Sequence, residues 1–421
     1  MFKNLKSLSI PEVLLLLVLL TLPLAEHWNS KALILSMLFA CYGFYKKNKI
    51  EFPKFGWLFI LIFISSAISY LWSENKTYTF NGIVSLLPLL LFTLAYQQLI
   101  GINNLFRILK LTSIFYIFYG LAMIFLAFTR YLSTKDYETF YYHALTEPFQ
   151  ANAIYIALIF GLVFLFQFYH LLFVPTKNSK LDYLIVLGLF SLQLFLSSKL
   201  ILSVLIIILI LFAIKYILNK GVDRRKIILG LAISFSLIFI VGLSSFTKNR
   251  FKEIADLKQI ENVFELDYFG RGYLWNGLTL RLFQLRCFYE IEKDNDFNSL
   301  LGTGFKASQP ELNKKYAQYD LYRGPSGEGE NDGYFVYNFH NQYAQFIIEL
   351  GVFGFVIIAF MFYFLLIIPI KNKNILILGI GLIFISFALS ETYMHRQKGI
   401  VSFVVFSLLA NYLSNNKLIN T

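Results

Sequence analysis

The chain has 421 residues, of which 57% are hydrophobic and 15% charged, with a formal net charge of +12. This balance excludes an ordinary soluble domain. Apolar runs of about 16 to 28 residues recur with almost no polar face at helical spacing, which predicts an all-α polytopic membrane protein.

Twelve transmembrane spans are predicted, at about 10–26, 31–46, 54–72, 79–96, 107–128, 150–173, 181–197, 199–218, 226–246, 341–369, 374–393 and 399–414. The first run, Val13 to Ala25, follows only Lys3 and Lys6, lacks a small-x-small cleavage pattern and leads straight into further spans. It is expected to be an uncleaved helix. The basic residues set the orientation. With a cytoplasmic N-terminus, 18 Lys and Arg fall in the inner loops and termini, against 7 in the short outer loops. The remaining 12 lie in residues 247–339, a segment too long for the rule to apply. Both termini are therefore expected inside and the long segment outside. Lys46, Lys47 and Lys49, and Arg224, Arg225 and Lys226, read as topology signals. Because the positive charge sits in loops between spans, nucleic acid is not an expected partner. Cys41 and Cys287 fall in different compartments, which argues against a disulfide framework or a cysteine metal site.

The predicted organisation is a bundle of about nine helices over 1–246, a long outer segment over 247–339 and about three more helices over 340–421, together one integrated membrane domain. The outer segment is not a plain linker. Phe251, Ile254, Leu257, Val263 and Phe264 recur at helical spacing between Arg250 and Asp267, and Tyr273, Trp275, Leu278, Leu282, Leu285 and Phe288 do so between Gly272 and Lys293. Both stretches predict amphipathic helices on the membrane face or capping the bundle. Ser308-Gln309-Pro310-Glu311 reads as a helix start, and the glycine-rich stretch Arg323 to Gly333 is expected to be mobile. From Asn341 one apolar helix is expected to run to Pro369, about 29 residues or roughly 43 Å. Asn341, Gln345 and Glu349 would share a face, with Glu349 near one membrane boundary and His340 outside the hydrocarbon. Gly351 and Gly354 would let a neighbouring helix approach closely.

Polar residues gather on the outer side. They are Arg271 before Trp275, Lys199 in the turn Ser197-Ser198-Lys199, the Gly302-Thr303-Gly304 turn, His340, and Glu391, His395, Arg396 and Lys398 in the last outer loop. Each has a structural reading. A lone arginine there is usually solvated, a lysine can anchor a helix end, and a histidine can simply start a helix. No cluster has metal-ligand spacing, so neither a metal nor a cofactor is expected.

Taken together, His340-Asn341 followed by Glu349 and Gly351, Gly270-Arg271…Trp275, Gly302-Thr303-Gly304 and Glu391…Arg396-Gln397-Lys398-Gly399 resemble the recurrent motifs of the bacterial O-antigen ligase and O-antigen polymerase superfamily. The resemblance covers about residues 190–410, and one position departs from it. Where the family usually has an arginine after a serine-rich turn, this chain has Lys199, which keeps the charge but loses the planar fork. The resemblance implies a glycosyltransferase of the bacterial inner membrane, with a periplasmic active site. It would move a glycan from undecaprenyl diphosphate to an acceptor hydroxyl, such as that of a lipid A–core sugar, without nucleotide or metal. Such a reaction needs cations around the departing diphosphate and a base for the acceptor proton. Arg271 and Lys199 suit the first role, with Arg396 a third cation, and His340 suits the second. Asn341, Glu349, Glu391 and Trp275 are expected to support them. Polymerase and protein-glycan transferase activities remain alternatives on the same scaffold. A transporter or flippase, the rival class, would be expected to carry ionisable groups near the bilayer midplane, and these spans have almost none. A purely structural or assembly role is the third reading.

The orientation is directly testable. A cysteine at Ser326 should react with an impermeant maleimide from the periplasmic side of intact inner membranes, and one at Val222 only after the membrane is opened. The reverse pattern would put the expected site on the wrong face.

Overall fold

The structure, a computed structural model, describes residues 8–47, 52–95, 105–174, 180–218, 256–325 and 332–415. All regular structure among the described residues is helical. The first half of the chain forms α1 (Ile10–Thr21), α2 (Glu26–Lys47), α3 (Gly56–Ile68), α4 (Lys76–Ser85), α5 (Leu87–Leu94), α6 (Leu105–Thr134), α7 (Ala153–Phe173), α8 (Lys180–Leu196) and α9 (Lys199–Leu218). The outer segment forms α10 (Leu257–Glu265), α11 (Gly277–Lys293) and α12 (Gln309–Gln318). Then come α13 (Gln342–Leu350), α14 (Val352–Phe362), α15 (Ile375–Ala388) and α16 (Gln397–Asn415).

Among the described residues, five helical stretches are long and apolar enough to cross a membrane: Lys76–Leu94, Leu105–Thr134, Ala153–Phe173, Lys199–Leu218 and Val352–Lys371. Shorter apolar helices, Ile10–Thr21, Gly56–Leu71 and Ile375–Ala388, lie among them. The expected span 226–246 falls outside the described residues, as do the basic run from Arg224 to Lys226 and residues 251–255 and 326–331 of the outer segment.

At the centre stands α7, whose spanning window is 89% buried. Its apolar residues show no preferred face because protein surrounds it on every side. Its start is fixed by Asn152, whose side chain accepts the amide of Ile154. Tyr116 of α6 stacks on Phe160 and Phe166 meets Phe406 of α16, so neighbouring helices fill its surface with rings.

A second, smaller core lies outside the bundle. Phe283, Cys287 and Ile291 of α11 pack against Leu312 and Tyr316 of α12 and against Phe335 and Phe339. The i, i+4, i+8 spacing of the α11 residues produces this face, and Asn276 caps the helix by accepting the amides of Leu278 and Thr279. The amphipathic stretches of the outer segment thus pack on one another as well as on the bundle. Trp72 donates to the carbonyl of Leu301 (2.8 Å), the amide of Phe305 to Ser69 Oγ (3.0 Å) and Lys306 to Ser85 Oγ (3.0 Å). These contacts tie it to the connection between α3 and α4 and to the far end of α4. The same end of the bundle holds the turns after α1, α6, α8 and α15.

Two expected continuous helices are interrupted. Pro88 cannot donate a backbone hydrogen bond, and the chain turns at Leu86 between α4 and α5. More consequential is the long helix expected from Asn341 to Pro369. It breaks at Gly351, whose φ of 55° and ψ of −128° end α13 and begin α14. A π-helical turn, Tyr363–Ile367, follows α14 before Pro369. The expectation of one continuous helix is therefore corrected to two pieces that meet at Gly351. The break is satisfied by the outer segment: Thr303 N donates to Ile348 O (2.9 Å), Gly304 N to Glu349 O (2.9 Å) and Val352 N to Leu300 O (3.1 Å). Gly302-Thr303-Gly304 is a backbone clamp on the end of α13. Gly354 of α14 admits the carbonyl of Phe346, so the close approach it permits is that of α13 across the break.

A β-carbon at Gly351 would lie 2.3 Å from Leu300 O in a backbone conformation open to glycine alone. Gly351→Ala should lose about 1–3 kcal/mol from backbone strain alone, read as a lower melting temperature of the detergent-purified protein. Gly272→Ala has nothing within 4 Å of its β-carbon and should melt like the native chain.

Candidate active site

The clamp brings α13 under the last outer loop, residues 389–396, and two histidine–carboxylate pairs form there. In the first, the fully buried carboxylate of Glu349 accepts from Gln345 Nε2 (2.6 Å) and Ser308 Oγ (3.0 Å) and meets His395 Nε2 at 3.0 Å. Phe305 packs edge-on to the His395 ring. In the second, Glu391, 5% exposed, receives Arg281 Nη2 on Oε1 at 3.1 Å and faces His340 Nδ1 from Oε2 at 3.7 Å. Arg281 also donates to Ser390 O (3.1 Å), so the guanidinium fixes both the carboxylate and its backbone.

His340 has φ 45°, which a residue with a β-carbon adopts only when its surroundings hold it there. Asn338 does so by accepting the His340 amide (3.0 Å) while donating to Thr392 Oγ1 (2.6 Å). With Nδ1 buried and turned to Glu391, the imidazole keeps Nε2 for a ligand. The 3.7 Å separation is an ion-pair contact, longer than a hydrogen bond. Burial opposes the charge on Glu391, yet His340 and Arg281 outweigh it and hold the carboxyl below the usual range.

Two cavities flank Arg396, the residue that follows His395 in the chain. One, of about 260 Å³, is lined by Tyr78, Asn81, Lys306, Asn338, His395 and Arg396. The other, of about 330 Å³, is lined by residues of the first outer loop, of the loop before α7 and of the start of α16. Arg396 belongs to both, is exposed, and has no side-chain hydrogen-bond partner among the described residues. Lys306 donates to a neutral hydroxyl, Ser85 Oγ, and burial pushes its ammonium pKa down.

The residues singled out in the sequence are only partly gathered here. His340, Glu391, Glu349 and Arg396 meet in this region. Asn341 is the N-cap of α13: its Oδ1 accepts the amides of Tyr343 and Ala344, and its Nδ2 reaches Leu389 O. Trp275 stacks among Phe269, Tyr273 and Phe283 in the outer core. Arg271 is half-exposed and pairs with Asp320 (3.1 Å), whose carboxyl is pulled down by hydrogen bonds from Tyr268 and Arg271. Lys199 opens α9 two residues after Ser197, which has φ 45°, and lines neither cavity. Sequence reasoning passed over Arg281, Lys306, Tyr78 and Asn81. Only Lys306 had a local signal, two residues beyond the glycine turn.

Residues 183–359 match the family model described as O-antigen ligase. Over this segment the chain is similar to the O-antigen ligase family. The matched segment runs from α8 through most of α14 and holds Lys199, Arg271, Arg281, Lys306 and His340, whereas Glu391, His395 and Arg396 lie beyond it. No curated protein matches the chain in sequence. The superfamily is one of O-antigen ligase and polymerase-type glycosyltransferases, which implies a lipid-linked glycan substrate in a membrane setting.

Because the folded pKa of Glu391 is depressed, its ionised contacts contribute fully above the unfolded value of about 4.3 and are lost as pH falls through the folded value. Arg281→Met removes one of the two groups holding that value down. The variant should lose up to about 3 kcal/mol at pH 7 and begin acid unfolding at a higher pH than the native chain, as followed by intrinsic fluorescence.

Proposed function

We propose that the protein transfers a glycan from a lipid diphosphate to an acceptor hydroxyl at the end of the bundle that carries the outer segment. Ligase chemistry of the kind that loads lipid A–core is the leading form, and polymerisation of lipid-linked repeats is the alternative. What carries this reading is the convergence of Arg396, Lys306 and His395 on one small cavity, whose wall includes Asn338, the residue that holds the His340 amide.

The chemistry follows from charge. As the anomeric carbon–oxygen bond to the diphosphate breaks, negative charge grows on the leaving group, and fixed cations at that position favour the transition state. Arg396 offers a planar fork suited to phosphate oxygens, and Lys306 a point charge whose burial makes an anionic partner favourable. The acceptor oxygen attacks the anomeric carbon as its proton passes to His340 Nε2. Glu391, facing Nδ1, stabilises the imidazolium that results, and Arg281 keeps that carboxylate in place. Arg271 and Lys199 then become docking cations for the long anionic donor, at a distance from the bond that breaks.

Purified protein in nanodiscs allows donor binding and transfer to be measured separately. His340→Ala should lower turnover by about 10²-fold or more with little change in donor binding. Arg396→Ala and Lys306→Ala should each weaken donor binding by about 10–100-fold, the worth of one charged hydrogen bond. Lys199→Arg should retain more transfer than Lys199→Ala. Equal loss of donor binding in the His340 and Arg396 variants would remove the assignment of His340 as the base.

A further inference from the structure

The 330 Å³ cavity on the other side of Arg396 differs in chemistry from the cationic one. Its wall is assembled from Ala25 and Glu26 at the start of α2, Phe149, Gln150 and Asn152 before α7, Tyr155 in α7, and Arg396 and Lys398. Glu26 brings an exposed carboxylate, which disfavours a diphosphate. The Lys398 ammonium is already committed to Pro23 O at 3.1 Å. Asn152 uses its oxygen to cap α7, which leaves its amide NH₂ for a ligand, and Gln150 is exposed with both donor and acceptor available. Beside these lie the rings of Tyr155 and Phe149. Flat apolar faces fringed by a carboxylate and carboxamides suit a hydroxyl-rich ring, which needs donors and acceptors in alternation and an apolar surface for its C–H face.

The position matters as much as the lining. The loop before α7 is held rigidly, with Thr146 Oγ1 donating to Ala151 O (2.6 Å), and Gln397 ties the start of α16 to α2 through Glu26 O (3.3 Å) and Ser30 Oγ (3.0 Å). Arg396 lines this cavity and the cationic one alike, so the two adjoin at its side chain. We infer that this cavity is a saccharide subsite that holds the terminal sugar of the acceptor, with Glu26 as its main hydroxyl-binding group. Arg396 stands between the two substrates, diphosphate on one side and acceptor sugar on the other. The inference rests on the transferase reading for the word acceptor. The saccharide chemistry of the cavity stands on its lining alone.

The test uses the full chain in nanodiscs with Cys41, the exposed cysteine, replaced by serine, Cys287 being buried. An Ala25→Cys reporter, and Gln150→Cys across the cavity as an independent second, are labelled with a maleimide. The competing probes are glycans released by mild acid from the native host's envelope and, separately, inorganic pyrophosphate. At glycan concentrations about ten times the Kd, labelling of both reporters should slow about tenfold, and Glu26→Gln should abolish that protection. Pyrophosphate should leave both rates unchanged. Protection by pyrophosphate instead of glycan would make this a second anion site and overturn the proposal, as would protection by neither. Glycan protection in a protein that transfers nothing would uphold the subsite and overturn the transferase reading, so the two failures are distinguishable.

Discussion

The carboxylate of Glu349 is the constraint around which the outer half of the molecule is arranged. It is fully buried, and a buried charge must be paired and hydrogen-bonded or it is too costly to keep. Its three partners come from three places: Gln345 one turn back, Ser308 in the outer segment and His395 in the last outer loop. Satisfying it therefore requires all three pieces to be in register. The glycine clamp reinforces this, because Gly302, Thr303 and Gly304 sit on the end of the same helix, with two backbone amides bound to its last carbonyls. A helix that continued past Gly351 would keep those carbonyls for itself and leave the outer segment without its seat.

That arrangement explains why some motif residues are not chemical. Asn341 caps the helix that carries Glu349, Gly351 ends it, and Gly302 and Gly304 let the clamp approach. Together they fix the height and angle of α13, and with them the strained backbone of His340 at its entrance. Four positions that read as one signature divide into a scaffold and a single side chain with open reactivity. This is the pattern expected when a site must be held to a fraction of an ångström by elements far apart in sequence.

How much of this was legible follows from what sequence encodes. Helical membrane character, the amphipathic outer helices and the helix start at Ser308 all appear, because period and capping are local properties. The break at Gly351 does not, since a glycine inside an apolar run looks the same whether its φ is negative or positive. Nor do the partners of the charged groups. Arg271 reads as a free outer cation, but Asp320, 49 residues away, takes it up. Arg281 carries no local signal at all, yet it reaches Glu391 across 110 residues. Pairing at such separations is a tertiary fact with no spacing to betray it.

The charge balance of the region gives the last step. Glu349 is occupied by His395, and Glu391 by Arg281 and His340. Glu26 faces the second cavity. Lys306 and Arg396 are left lining the first cavity, with no carboxylate bonded to either side chain among the described residues. Lys306 pays for its position with a depressed pKa, because burial disfavours its charged form and only a neutral hydroxyl receives it. A dianionic or more highly charged group entering beside it would relieve that cost, and the relief grows as the group gains charge. An interaction that strengthens as charge develops lowers the barrier to breaking the bond, beyond its contribution to holding the substrate. On the proposed transfer, the same desolvation that disfavours the charged lysine is what would make it useful to a departing phosphate.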